Sequence, residues 1–372
     1  MIQPSETVVH LTICRDEIEL AVGSGVFYKR NGKSYIVTAW HNVAGRHTDT
    51  LQSLSSTLAV PNKVIASFSH QIFQGEFKGS VNRSITLSLE ENGQKTYYVH
   101  PQGWPKVDVV TIPIDLDKQY LSEGSLLDGE KINIPTILKN NSTMGLSTDI
   151  IHVQDIEFQY NGIQDYSDYL YASEDIFIIG YPKGITDQTG QPIWKRATVA
   201  TSPHLGWEKQ EQFLVDCASK QGMSGAPAFF YNLKGHINLG HTNVITSSPI
   251  TIFHGIYVGR IGGTSEFEAQ IGRIWKRKVI DEIIDNAQFD FLSDELILPD
   301  SEILEIIQKQ WPDEKEKYAE SILKENSMLS KVLLYTVMKE INGRADYQDV
   351  EKQIIQFAKN LNFGTENKTR IG

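Results

Sequence analysis

His41, Asp108 and Ser224 are the residues whose types and settings could together do chemistry. A serine hydroxyl becomes a nucleophile when a nearby base takes its proton and backbone N–H groups are aimed at the oxyanion that develops on the attacked carbonyl. Ser224 lies in KQGMSGAP (residues 220–227), a sharp loop of small residues between two apolar runs. The N–H groups of Gly222 and Ser224 are placed there to supply such donors, and a side chain at 222 would crowd the carbonyl and restrict the backbone. His41 stands in TAWHNV, just beyond the strand-like run Ser34 to Ala39, where an imidazole can act as acid or base. Asp108 opens the run Val109 to Ile112, a position where its carboxylate is partly buried and needs a hydrogen-bond donor; an imidazole N–H is one candidate. Taken singly, each has a plainer account: an ordinary histidine, a strand-start aspartate capping a turn, and a Gly-Pro turn that happens to hold a serine.

Short strands have to position these residues. Val8 to Cys14, Gly25 to Tyr28, Ser34 to Ala39, Ile85 to Leu89, Val107 to Ile114, Asp175 to Tyr181, Phe213 to Cys217, Ala228 to Tyr231 and Thr251 to Arg260 are β-branched and aromatic runs bounded by turn residues. Many short strands without long helices between them predict a sandwich or barrel. A hairpin is expected to turn at Asn31 to Lys33. Residues 117–172 read as a connection or insertion, with a strand at Ile150 to Phe158. Beyond residue 264 the charge density nearly doubles and the period changes. Phe267, Ile271, Ile274, Trp275, Val279, Ile283 and Ile284 recur at three- and four-residue steps, which predicts one amphipathic helix. Further helices are expected over 301–311, stopped by Pro312, and over 314–341 and 346–361, with Gly343 in the break.

Composition narrows the classes of function. With 35 basic against 46 acidic residues in 372, the formal charge of -11 argues against a general nucleic-acid or anionic-membrane binder. The tight basic cluster WKRK (275–278) reads as the solvated face of a helix. No run of apolar residues is long enough to span a bilayer and no basic leader opens the chain, so a cytoplasmic protein is expected. Cys14 and Cys217 have neither disulfide-framework nor metal-ligand spacing; Cys217 reads as a small buried hydrophobe in a strand. His236 and His241 read as loop residues rather than zinc ligands.

The order His41, Asp108, Ser224 with these flanks resembles the trypsin-like (chymotrypsin-fold) serine peptidases, TAWHNV matching that family's TAAHC box. DIFIIGYPKG (175–184), WKRATVATS (194–202), FLVDCASKQGMSGAP (213–227) and HGIYVGRI (254–261) resemble the bacterial high-temperature-requirement branch more than digestive enzymes. The likeness spans roughly residues 8–264. It implies a mostly β fold: two six-stranded antiparallel barrels of chymotrypsin type, with His41 and Asp108 on the first (1–116) and Ser224 on the second (173–264). The connection (117–172) lies between them and a helical C-terminal extension (265–372) follows.

The activity implied is that of a serine endopeptidase working on a protein or peptide substrate through an acyl-enzyme, without metal or cofactor. His41 would be the base, Asp108 its orienting carboxylate, and Gly222 and Ser224 the oxyanion donors. Ala218, six residues before Ser224, implies a small or medium apolar side chain at the cleaved position. Val258, Gly259 and Arg260 would form the edge on which substrate adds as a β-strand; Arg260 would alternatively recruit an acidic residue or stay solvated. Two residues depart from the family pattern. Met223 replaces the aspartate that pairs with a new N-terminus in digestive members, and Ala226 replaces the second glycine of GxSGGP. No PDZ-like domain follows. The helical extension would dock on the barrels, dimerise or bind a protein partner. The alternatives are a catalytically idle peptide-binding scaffold, or a partner-regulated protease of a stress or defence system.

Overall fold

Asn31 and Gly32 both take positive φ, the backbone that a two-residue hairpin turn demands, and they close β2 (Ile18–Arg30) onto β3 (Lys33–Thr38) with Arg30 opposite Lys33. In this computed structural model the chain is described over residues 3–366, apart from 75–76, 126–130, 141, 144–145, 164–165, 262–269, 293–294 and 325–327. Within them β2 and β3 are the centre of an eight-stranded antiparallel sheet, two strands more than expected. Its other strands are β1 (Val8–Arg15), β4 (Lys63–Gln74), β5 (Phe77–Ser88), β6 (Tyr98–Val99), β7 (Val110–Ile114) and a short edge strand, Gln288–Phe289. The order from that edge is β6-β7-β3-β2-β1-β4-β5.

A closed six-stranded barrel, as expected for the second module, is built from β8 (Asp175–Gly180), β9 (Ile193–Val199), β10 (Gln212–Asp216), β11 (Ala226–Asn232), β12 (Ile250–Arg260) and β13 (Ile271–Lys276). The strands close in the order β8-β9-β10-β13-β12-β11. Ile176 and Ile178, Ala197 and Val199, Phe213 and Val215, and Ala226 and Ala228 alternate into its core, the period of two that a pleated strand imposes. Each large aliphatic buried there contributes about 1.5–3 kcal/mol.

Several expectations are corrected here. Ile271, Ile274 and Trp275 belong to a barrel strand, not a helix; Phe267 lies outside the described residues. A short apolar run does not distinguish the two periods, and pairing with β10 on one side and β12 on the other decides it. The helix starts only at Arg277 and runs to Asn286, burying Val279, Ile280, Ile283 and Ile284. WKRK is accordingly no solvated helix face. Trp275 and Lys276 are buried, Lys276 and Lys278 both pair with Glu211, and Arg277 is held by the buried Glu157 at 2.6 Å. The second correction is at Ile150 to Phe158, where a helical turn, Val153–Ile156, replaces the expected strand because the Asp155 carboxylate accepts the His152 N–H at 2.8 Å and caps it. The rest of 117–172 includes an antiparallel hairpin, Gln119–Ser125 with Lys131–Ile137. His236 opens a short strand, His236–Leu239, rather than sitting in a loop.

The sheet and the barrel belong to one compact unit. The second unit comprises residues 45–60, 101–107 and 291–372. Its helices are Asp300–Gln310, which ends two residues before Pro312, then Lys315–Ile322, Met328–Glu340 and Tyr347–Glu366. The stretch 314–341 is thus two helices rather than one. Ile303, Ile307, Leu334, Val337, Met338 and Ile354 form the core of this unit. Among the described residues no helix is long and apolar enough to cross a membrane.

Candidate active site

Strand register brings the first two site residues together. Thr38 at the end of β3 pairs with Val110 at the start of β7, so the antiparallel ladder carries Asp108 past it to the turn that begins the helix Trp40–Ala44. Asp108 Oδ1 accepts the His41 backbone N–H at 3.0 Å, and Oδ2 lies 2.8 Å from His41 Nδ1. The carboxylate is 4% exposed and the imidazole 19%. A buried carboxylate bound to both the backbone and the ring of one histidine fixes the ring's orientation and puts the proton on Nδ1, leaving Nε2 as the basic nitrogen.

Ser224 comes from the other module, on the loop leading into β11. Its carbonyl is gripped from the first sheet by the Ser24 N–H at 2.8 Å and by the Asn42 side-chain amide at 3.0 Å, and Asn42 is the residue after His41. Thr38 ties this dock together, donating to Ser24 O at 2.7 Å and accepting from Asn42 at 3.0 Å. A Cβ at Gly225, whose φ is +88°, would overlap both the Ser24 carbonyl and the Thr38 hydroxyl, so only glycine lets the loop approach this closely. The Ser224 hydroxyl donates to Val258 O at 3.4 Å rather than to the imidazole.

The two proposed oxyanion donors are oriented from behind. A trans peptide points its C=O and N–H in opposite directions. Gln221 O accepts the Lys183 N–H at 2.6 Å, which turns the Gly222 N–H the other way; Met223 O accepts the Ala226 N–H at 3.0 Å and does the same for Ser224. Among the described residues neither N–H is spent on an acceptor in the chain, whereas those of Met223 and Gly225 are. The φ of Gly222 is +93°, and a Cβ there would overlap Tyr181 O. Its own carbonyl accepts the Ser24 hydroxyl at 2.7 Å.

Val258 and Gly259 run beside Ser224. Pairing of β12 with β13 skips Val258, a bulge that re-aims the backbone, and a Cβ on Gly259 would stand 3.9 Å from the Ser224 hydroxyl. Pairing of β12 with β11 stops at Tyr257 opposite Ala226, so among the described residues one edge of Val258 to Arg260 has no strand partner. Val258 is buried and Arg260 half-buried. Ala218 is exposed; the next residue, Ser219, is buried with its hydroxyl bonded to that of Tyr257. Met223 is buried in the barrel core, and Cys217 is buried there with its thiol pushed up to about 11 by desolvation, which disfavours the thiolate.

Ser24, Thr38 and Asn42 are absent from the sequence reading. The signal was the pair of glycines flanking Ser24 inside a strand, a sign of close backbone approach. Asp290 was equally hidden: it accepts the Trp40 indole N–H at 2.6 Å and so steadies the residue before His41.

No protein-family model matches the chain and no curated protein matches it. Among solved structures it is similar to the serine endoprotease from Yersinia pestis, at 13% identity and a TM-score of 0.37 over 76% of this chain and 62% of that one. It is similar also to the protease Anisep from Arthrobacter nicotinovorans, at 12% and 0.36 over 76% and 95%. The Drosophila Grass clip serine protease of the Toll pathway matches at 11% and 0.39 over 74% and 67%. Likeness at this level carries nothing about chemistry, which rests on the geometry above.

Proposed function

We propose that this chain is a serine endopeptidase. The observation that carries the reading is the dock itself: the segment bearing an Asp-bound histidine also holds the Ser224 carbonyl, while the N–H groups of Gly222 and Ser224 are left for an oxyanion. His41 takes the Ser224 proton through Nε2 and returns it to the leaving amine, and Asp108 stabilises the imidazolium between the two steps. The substrate is an extended segment of a protein that pairs with the open edge of Val258 to Arg260. Neither cysteine is in a disulfide, which fits a reducing compartment such as the cytoplasm.

The aim of the Ser224 hydroxyl at Val258 O favours a second reading, a double-module scaffold that binds peptide without cutting it. An alkyl fluorophosphonate separates the two. The peptidase is labelled at Ser224, loses labelling in Ser224→Ala, and is labelled roughly 10³- to 10⁴-fold more slowly in Asp108→Asn, where the wrong tautomer is held. A folded wild type that no such reagent labels is the scaffold.

A further inference from the structure

We infer that a cleft at the far end of the barrel strands from Ser224 binds a cationic nitrogen on an alkyl stem, the ammonium or guanidinium group of a small amine or of a basic side chain. The site is independent of the peptidase reading. Phe230 and Asn232 end β11, and Ile252 and His254 lie early in β12. The same strands carry Ala226 and Val258 at their other ends, so about six residues, roughly 20 Å of strand, separate the cleft from the Ser224 loop. The strand His236–Leu239 and the segment 166–174 complete the walls around a volume of about 190 Å³. That is smaller than the roughly 300–1,000 Å³ of sites for drug-sized ligands, and it suits one side chain or a small amine.

Glu174 gives the cleft its charge. Its backbone is pinned beside the barrel: its carbonyl accepts the Val199 N–H at 2.9 Å, and its own N–H donates to Tyr171 O at 3.2 Å. Carboxylate oxygen Oε2 accepts the Tyr171 N–H at 3.1 Å; among the described residues Oε1 has no donor and no lysine or arginine pairs with the group. No lysine or arginine lines the cleft either. Desolvation holds this carboxyl above the ordinary carboxylate value, and only the Tyr171 N–H works against it. A half-buried carboxylate without a cation costs free energy that an incoming cation recovers. The remaining walls say which kind of cation. Tyr166, Tyr169 and Phe230 supply aromatic rings, those of Tyr166 and Tyr169 at 56° with centroids 6.4 Å apart, and they pack with Ile237 and Ile252 in one apolar cluster. Rings beside a carboxylate attract an organic cation and shelter its alkyl stem. His236 and His254 also line the cleft, but among the described residues no three His, Cys, Asp or Glu side chains are grouped to hold a metal ion, which leaves the organic cation as the fit.

The test uses the full chain with isotope-labelled isoleucine methyl groups, so that Ile237 and Ile252 report on the cleft by NMR. Three probes are titrated: n-butylguanidinium as the free cation, the blocked tripeptide acetyl-Gly-Arg-Gly-amide as the side-chain form, and n-pentanol as a neutral probe of similar length. The free cation is expected to shift both methyl signals with a dissociation constant of about 1 mM, and n-pentanol to bind at least roughly tenfold more weakly. Glu174→Gln, which keeps the shape of the side chain and removes its charge, is expected to weaken the cation by about tenfold or more. Binding of the tripeptide makes the ligand a basic side chain of a protein, and binding of the free cation alone makes it a small amine; each supports the site. Equal binding of n-pentanol, unchanged affinity in a folded Glu174→Gln, or no shift of either methyl signal by either cation overturns it. Should Glu174→Gln not fold, the wild-type comparison of cation with n-pentanol decides.

Discussion

The Ser24 hydroxyl accepts from the Tyr181 N–H at 3.0 Å and donates to the Gly222 carbonyl at 2.7 Å, while its N–H holds the Ser224 carbonyl. One buried residue of the first sheet thus holds the carbonyls of the two residues that flank Met223. Ser24→Ala leaves a buried donor and a buried acceptor without partners, at a cost of about 1–3 kcal/mol, read as a lower denaturation midpoint. Its sharper consequence is at the oxyanion donors: with the Gly222 carbonyl released, fluorophosphonate labelling of Ser224 is expected to slow by about tenfold, the equivalent of 1.4 kcal/mol. Loss of stability with labelling unchanged would reduce Ser24 to a packing role.

Elements decide how these residues are carried. The helix holding His41 has five residues, too short to stand on its own propensity, and is fixed by the ladder of β3 with β7 before it and by the Asp290 anchor on Trp40. Elsewhere in the same unit, burial lowers the imidazoles of His70, on β4, and His152, which precedes the turn Val153–Ile156. His70 donates to Asp149 O at 2.9 Å, and His152 lies 2.9 Å from the Ser34 hydroxyl and 3.2 Å from the Asp155 carboxylate, contacts that only partly offset desolvation. The unfolded chain protonates both near the ordinary value of 6.5 and the folded chain only below it, so the unfolded state binds more protons as the pH falls. Thermal stability is therefore expected to be level above neutrality and to fall as pH drops through 6.5. His70→Gln with His152→Asn should flatten that slope in a melting series; an unchanged slope would assign it to other groups.

At the scale of the whole molecule, the chain leaves the first unit twice, immediately after the His41 helix (45–60) and immediately before Asp108 (101–107), and both excursions belong to the helical unit. Inside that unit Trp104 stacks on Tyr347 with centroids 6.2 Å apart, and a Cβ on Gly343 would come within 2.8 Å of the same indole. The extension is therefore no appendage to be cut off. Removal of residues from 265 onward would take β13 out of the barrel, and even a cut after Asp290 would strip 101–107 of the helices on which they pack. Trp104→Ala gives up about 1 kcal/mol of ring contact. Faster amide exchange over 101–107 and slower labelling of Ser224 are expected with it; labelling at the wild-type rate would show that the β3–β7 ladder alone holds the His–Asp pair.

The sequence alone determined the strand-rich architecture, the helices after residue 300 and the three residues proposed to do chemistry, because each is written locally: alternation, periodicity, turn residues, and a glycine-rich loop around one serine. It misread Ile271–Lys276, whose apolar spacing fits both periods, and it was silent on Ser24, Asn42 and Asp290. Those residues act across 157 to 250 positions, as in the bond from Tyr181 to Ser24 and the bond from Trp40 to Asp290. Only tertiary structure could decide them, because a hydrogen bond or a filled space depends on which surfaces meet, and no local pattern of residue types encodes that meeting.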